Sequence, residues 1–410
     1  IMSSSETILS NLTASHPAEQ QFYENVGALL SSKLYHQLTV AVLDFTSDKS
    51  NLHISSDFNN FYILYNDILS NAELKIKSKL NPLMLARIAW NTAQTVVPTQ
   101  PQKGVEILTE LIESFSVKAS ASSSPPSRSA FASGTPSNPP APHAKLYAES
   151  KLHLLQMDVE KVKLFLKENS VILKELSIST ESEVAAVHSA YYQTAMDLYK
   201  RVGPADAFYK QAIQFLHYTP PAEVEDAKSL ARDLCLAALV GKGVYNLGTV
   251  VYENSELLAT LKGETDGFLV ELMESAAVGN VGAFEALETH RVYLERNGCD
   301  IKAIQEKILL LGLVNLVFEK ESGERTMAFS DIAKRLQVDL EQVEWIAMKA
   351  LSLGLIKGSM DQVDGIIDVT WVMPRVLDQK MMTALAKRFG EWYDKVSETK
   401  DFMGERIPAF

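Results

Sequence analysis

From Ala144 the chain runs for about 170 residues as helix-length pieces of 3-to-4 apolar periodicity, with glycine or proline recurring at their ends. "KLYAESKLHLLQMDVEKVKLFL" reads as one such helix. "SEVAAVHSAYYQTAMDLYKRVG" is a second and stops at Gly203-Pro204; "ADAFYKQAIQFLHYT" is a third and is closed by Pro220-Pro221. Small alanines alternate with bulky tyrosine and phenylalanine inside them. Alanine lets neighbouring helices approach, and an aromatic ring fills the groove left beside it. Stacked helical hairpins demand that combination, so the expectation is a right-handed, tetratricopeptide-like solenoid, although no strict repeat can be aligned.

The same grammar governs residues 18–115, where Phe22, Val26, Leu29, Leu30 and Leu34 share one spacing and Leu83, Ile88 and the run to Val97 share another. Between them and Ala144 lies "ASASSSPPSRSAFASGTPSNPPAP", 24 residues with eight Ser, six Pro, five Ala and Arg128 as the only charge. Such a composition buries too little apolar surface to offset its ordering entropy, so a disordered insertion is expected. The domain expectation is therefore helical repeats over 1–118, the insertion over 119–143, and repeats continuing over 144–326.

Near residue 327 the pattern changes. "FSDIAKRL" reads as a short helix with Ser330 as N-cap, and "QVD" as a turn. Asp339 and Gln342 offer a capping box for "LEQVEWIAMKALSL". Gly354 sits where a C-terminal cap glycine belongs, and "LIKGSMDQVDGIIDVTWV" reads as two strands about a polar turn. Helix, turn, helix and two-stranded wing make a winged helix over 327–376. A last helix in 377–410 carries Leu377, Met381, Leu385, Phe389, Trp392 and Val396 on one stripe.

Chemistry is hard to place on this chain. The glycine-dense "GKGVYNLG" (241–248) fails as a phosphate loop. A P-loop needs glycine where Leu236 stands and Ser or Thr where Gly243 stands, and a dinucleotide fingerprint would put its third glycine at Asn246. The residues before it read as helix rather than strand, so Gly241 is expected to end a helix, with Gly243 and Gly248 permitting a tight reversal. Cys235 and Cys299 are far apart, too few for a disulfide framework or a four-ligand zinc site. The eight histidines form no HxH or HExxH pattern. No metal, no cofactor and no catalytic set is expected. Nothing in "MSSSE" resembles a leader and no apolar run is long enough to span a bilayer, so an intracellular, reducing compartment and no membrane partner are expected.

Winged helices often read DNA, and charge tests that use here. Between Arg325 and Arg375 six basic residues face seven acidic ones, within a chain of net charge −12. The would-be recognition helix opens with Asp339, Glu341 and Glu344 where base-reading residues enter a groove. Phosphate neutralisation supplies most non-specific affinity, and the sign here is wrong. A protein-docking winged helix whose strand edge pairs with a neighbour is expected instead, with Ile366, Ile367, Val369 and Trp371 as interface candidates alongside the terminal stripe.

Two stretches carry a family resemblance: "DLCLAALVGKGVYNLGTVV" (233–251) and, more specifically, "VEWIAMKALSLGLIKGSMDQVDGIIDVTWVMPRVL" (343–377). A helical array running into a winged helix and a terminal helix resembles the PCI family, shared by the proteasome lid, the signalosome and a translation-initiation complex. Within it the chain is most similar to the non-ATPase subunits of the 26S proteasome lid. The resemblance implies a mainly α, non-enzymatic scaffold, hetero-oligomeric and located in cytoplasm and nucleus. It further implies contacts with a neighbouring PCI subunit and proximity to the lid's deubiquitinase pair and a ubiquitin receptor. The alternatives are a scaffold of one of the sister complexes or a winged-helix nucleic-acid adaptor.

Overall fold

The computed structural model describes residues 9–13, 19–48, 51, 59–70, 77, 79–120, 142–176, 182–224, 226–263, 266–280, 282–320, 325–376 and 379–406. Residues 121–141, nearly all of the Ser/Pro/Ala-rich segment, lie outside them. The chain divides into two compact units: residues 1–202 with 217–219, and 203–216 with 220–410.

The first unit is built of helices joined by turns and short coils among its described residues. Its principal helices are α1 (Gln20–Ser31), α2 (Tyr35–Ser47), α3 (Pro82–Val96), α4 (Pro101–Ser120), α5 (Pro142–Gln156), α6 (Val159–Leu176) and α7 (Ser182–Val202). Aromatic rings fill the grooves between them: Phe22 of α1 stacks on Phe45 of α2 at 3.9 Å, and Phe45 meets Phe61 edge-on at 5.7 Å. Alanines line the close crossings, with Ala86, Ala89 and Ala93 of α3, Ala144 and Ala148 of α5, and Ala190 and Ala195 of α7 all buried. The start of α3 is locally written: Pro82 opens it, and the Asn81 side chain accepts from the Leu83 amide at 3.0 Å.

Two details differ from the sequence expectation. The stretch expected as one helix from Lys145 to Leu166 is two, because Met157 takes a left-handed conformation (φ 51°) and ends α5. No glycine or proline announces that break. Leu34 leaves the α1 stripe for the same reason: Lys33 is left-handed (φ 59°), and Leu34 becomes the exposed residue that precedes α2.

The second unit is built on α8 (Ala205–Tyr218, its last two residues in the first unit), α9 (Ala227–Val240), α10 (Phe268–Val278) and α11 (Ile301–Glu319). The last is the axis of the unit. Apolar residues cover most of its circumference, from Ile304 and Ile308 to Leu313 and Val317, as a helix packed on several sides requires. The winged helix follows: β1 (Thr326–Ala328), α12 (Phe329–Leu336), α13 (Leu340–Ser352), β2 (Ile356–Asp361) and β3 (Ile366–Val372). Its sheet is antiparallel in the order β1-β3-β2, with Met327 opposite Ile367 and Met360 opposite Ile367 on the other side. Its core joins Ile332, Leu336, Val343, Ile346, Ile356 and Ile367 to Leu313 and Val317 of α11.

The wing therefore has three strands rather than the two expected; β1 is three residues long, too short to show a period. The capping expectations divide. Ser330 lies inside α12, which begins after Ala328, and Asp339 precedes α13 without a side-chain cap bond, so the capping box is not formed. At the other end of α13, Gly354 (φ 69°) donates to the Leu351 carbonyl at 3.1 Å and Leu355 to that of Ala350 at 3.0 Å, the paired closure that a left-handed glycine permits. The last helix, α14, spans Gln379–Arg406.

Candidate protein-docking surfaces

The glycine-dense segment holds structure together. Helix α9 ends at Gly241, and its last carbonyls point at a buried ammonium: Lys307 Nζ on α11 donates to Ala238 O (2.6 Å), Gly241 O (3.0 Å) and Leu239 O (3.3 Å). A cation at a helix C-terminus complements the macrodipole and supplies donors that the last turn lacks. Burial pushes the Lys307 ammonium down to about 8. An anion at this point would face the negative end of a helix and a lysine whose donors are already committed. Of the glycines, Gly243 does take the positive φ a reversal needs (78°). Gly248 does not; it has helical angles and serves close approach instead, since a Cβ there would lie 3.1 Å from Val376 Cβ.

That contact joins the two stretches singled out in the sequence. Leaving β3, Met373 donates to Leu355 O at 2.8 Å, Val376 donates to the Asn246 side chain at 3.4 Å, and Arg375 donates to Ala277 O at 3.2 Å with its guanidinium 5.8 Å from the Phe318 ring. Residues 373–376 are thus seated on the 246–248 turn and the end of α10. The seat lies within three residues of the start of α14.

From there α14 departs as 28 residues, about 42 Å of helix at 1.5 Å per residue. Its described side chains between Met382 and Met403 are exposed, apart from a half-buried Ser397. On one stripe stand Leu385, Phe389 (61 % exposed), Trp392 (64 % exposed) and Val396. Met382 and Met403 extend that face, and Tyr393 stands beside it; Met403 and Tyr393 are additions that the sequence pattern could have supplied by running the period further. Leu377 lies outside the described residues, and the Met381 side chain does too. Apolar surface exposed contiguously in this way is costly in water unless another surface covers it.

The strand candidates separate by pleat. Ile367 and Val369 point inward, at 0 % and 3 % exposure, and belong to the wing's own core. They are withdrawn as interface residues, because alternation from Ile366 to Val369 sends them to the face packed on α11 and α13; a register irregularity, with Gly358 opposite Val369 but Lys357 opposite Trp371, then resets the alternation. Ile366 is half-buried. Trp371 is exposed on the opposite face, with Lys357 Nζ 4.9 Å from its ring centroid. Chemistry has no foothold at the two thiols: Cys235 is buried and its thiol pushed up to about 12, and Cys299 is buried with its thiol raised likewise. Among the described residues no helix is long and apolar enough to cross a membrane.

Residues 22–273 match the family described as PSD13 N-terminal repeats, and residues 289–371 match the PCI domain. The first match alone spans more than half of the chain. The chain belongs to the PSD13 family. The PCI match runs from the helices before α11 to the last strand of the wing, so the axis helix and the winged helix form one module. Among relatives, the chain is 28 % identical to the 26S proteasome non-ATPase regulatory subunit 13 of Dictyostelium discoideum, over 90 % of this chain and 89 % of that one. It is 28 % identical to homolog A of the same subunit in Arabidopsis thaliana, over 95 % of both. It is 26 % identical to the 26S proteasome regulatory subunit RPN9 of Saccharomyces cerevisiae, over 63 % of this chain and 64 % of that one.

Proposed function

We propose that this PSD13-family chain is a structural, non-catalytic subunit of the 26S proteasome regulatory-particle lid, serving ubiquitin-dependent protein degradation in cytoplasm and nucleus. The observation that carries the reading is α14: a long helix on which Leu385, Phe389, Trp392 and Val396 stand exposed along one stripe. A stripe of this size in water is costly at ~25 cal/mol per Å² of apolar surface, and helices from several chains gathered into one bundle would bury it. The winged helix supplies a second contact. Strand β2 is an edge of its sheet, able to take a neighbouring PCI subunit's edge, with Trp371 exposed beside it. The deubiquitinase pair and a ubiquitin receptor complete the proposed neighbourhood.

The relatives' designation as non-ATPase regulatory subunits supports a role without catalysis. The committed donors of Lys307 and the raised thiol of Cys235 support the same reading. Removing residues 377–410 tests it. The truncated chain stays folded, as followed by circular dichroism, and fails to enter the lid on native gels; incorporation at the wild-type level refutes the proposal.

A further inference from the structure

The face that a DNA-reading winged helix would push into a groove is, in this chain, both apolar and acidic. On α13, Glu341, Trp345 and Met348 follow one another at helical spacing, with Trp345 45 % and Met348 47 % exposed. The wing is tied to that face: Gln362 Nε2 donates to Glu344 Oε2 at 3.0 Å, which fixes the β2–β3 turn beside the helix. At the turn, Asp361 Oδ1 accepts from the Val363 amide (2.9 Å) and the Asp364 amide (3.2 Å), and Val363 stands 95 % exposed. The nearby cation is spent. Lys349 pairs with Glu306 and lies 4.5 Å over the Trp345 ring, holding the indole in place and leaving the carboxylates of Glu341, Glu344 and Asp364 without a lysine among their observed contacts.

From this juxtaposition we infer that α13 and the wing tip together form a docking surface for a cationic amphipathic segment of a partner protein, most simply a helix with an apolar stripe flanked by Lys and Arg. Trp345, Met348 and Val363 supply the apolar floor; Glu341, Glu344 and Asp364 supply the charge that such flanks complement. Nucleic acid and anionic membrane share the wrong sign for this surface. An acidic segment would be repelled by the same carboxylates. The inference rests on the reading of the winged helix as a protein-gripping module, and it concerns a face distinct from α14 and from the β2 edge.

Site-specific photo-cross-linking in the assembled particle tests it. A benzophenone amino acid replaces Met348 in one full-length chain and Val363 in another, and the cross-linked peptides are sequenced. The expected peptide, the same from both positions, carries apolar residues at helical spacing and an excess of Lys and Arg. Glu341→Lys/Glu344→Lys in the labelled chain lowers the cross-link yield by about tenfold or more, as reversal of a complementary interface charge pair does. Cross-links to nucleic acid or to an acidic segment overturn the inference, as does a yield indifferent to charge reversal. Incorporation is read on the same native gels. A labelled chain that enters the particle and forms no cross-link overturns this inference alone, whereas a wild-type chain left out of the particle overturns the assembly reading.

Discussion

The ammonium of Lys307 donates to the carbonyl of Gly241 at 3.0 Å, in a site where the lysine is 7 % exposed and no carboxylate is among its observed partners. Two further carbonyls of the same helix end, those of Ala238 and Leu239, share that ammonium. Lys307→Met keeps the volume and orphans these acceptors. The expected loss is about 2–3 kcal/mol of unfolding free energy, read from urea denaturation of the full chain. Because the donors are committed, adenosine triphosphate at millimolar concentration leaves the melting temperature of the wild type unchanged; a dose-dependent rise would restore the phosphate-binding reading of 241–248.

Gly279 closes α10 in a left-handed conformation (φ 66°) directly against α11, where an added Cβ would lie 2.4 Å from Gly312 Cα. The crossing is held in place, since Asn315 of α11 and Arg375 both donate to Ala277 O, two residues before Gly279. Gly279→Ala combines strain at positive φ with a steric overlap. A loss of about 3 kcal/mol or more is expected, seen as a lowered denaturation midpoint or as insoluble protein. Gly298 has a similar φ (75°) with open space around it, so Gly298→Ala costs about 1 kcal/mol.

His188 lies buried against Tyr218, stacked at 4.5 Å, and beside Tyr192, at 6.1 Å, with no hydrogen-bond partner on either ring nitrogen among the described residues. Desolvation lowers its pKa below the ordinary histidine value. The unfolded chain then binds a proton more readily than the folded one. The stability that the neutral ring contributes is complete above about pH 6.5 and is lost as pH falls from there through the folded value. His188→Phe retains the stack and removes this loss, so the difference in unfolding free energy between pH 7.5 and 5.5 is smaller in the variant. An identical pH dependence in both chains would contradict the assignment.

What could be read before folding follows from where the information is local. The ends of α7 and α8, the strands β2 and β3 and the Gly354 closure were all legible, because proline, left-handed glycine and period-two alternation act over a few residues. The break at Met157 was not, since a methionine gives no warning of positive φ and the packing around it decides. Nor was β1: three residues carry no period, and its pairing with β3 crosses 42 positions of sequence, as Thr326 against Asp368 shows. Of the candidate surface, the exposed run from Leu385 to Val396 was legible from its period, while Leu377 and the Met381 side chain lie outside what is described. The inward turn of Ile367 and Val369 was not, because an apolar alternation names a buried face without saying whose core it joins. The use of Gly248 for close approach to Val376 depends on a contact 128 residues away, which no local rule contains.

The central claim is that α14 exists to be covered by other chains. Phe389→Asp/Trp392→Asp places two charges on the stripe at positions 61 % and 64 % exposed, where the isolated chain's own packing is untouched. The most direct measurement is the fraction of this variant that co-migrates with the assembled regulatory particle, beside its thermal melt as a free chain. The account predicts a wild-type melt and incorporation reduced to about a tenth or less, as loss of two aromatic anchors entails; full incorporation with an unchanged melt would contradict it.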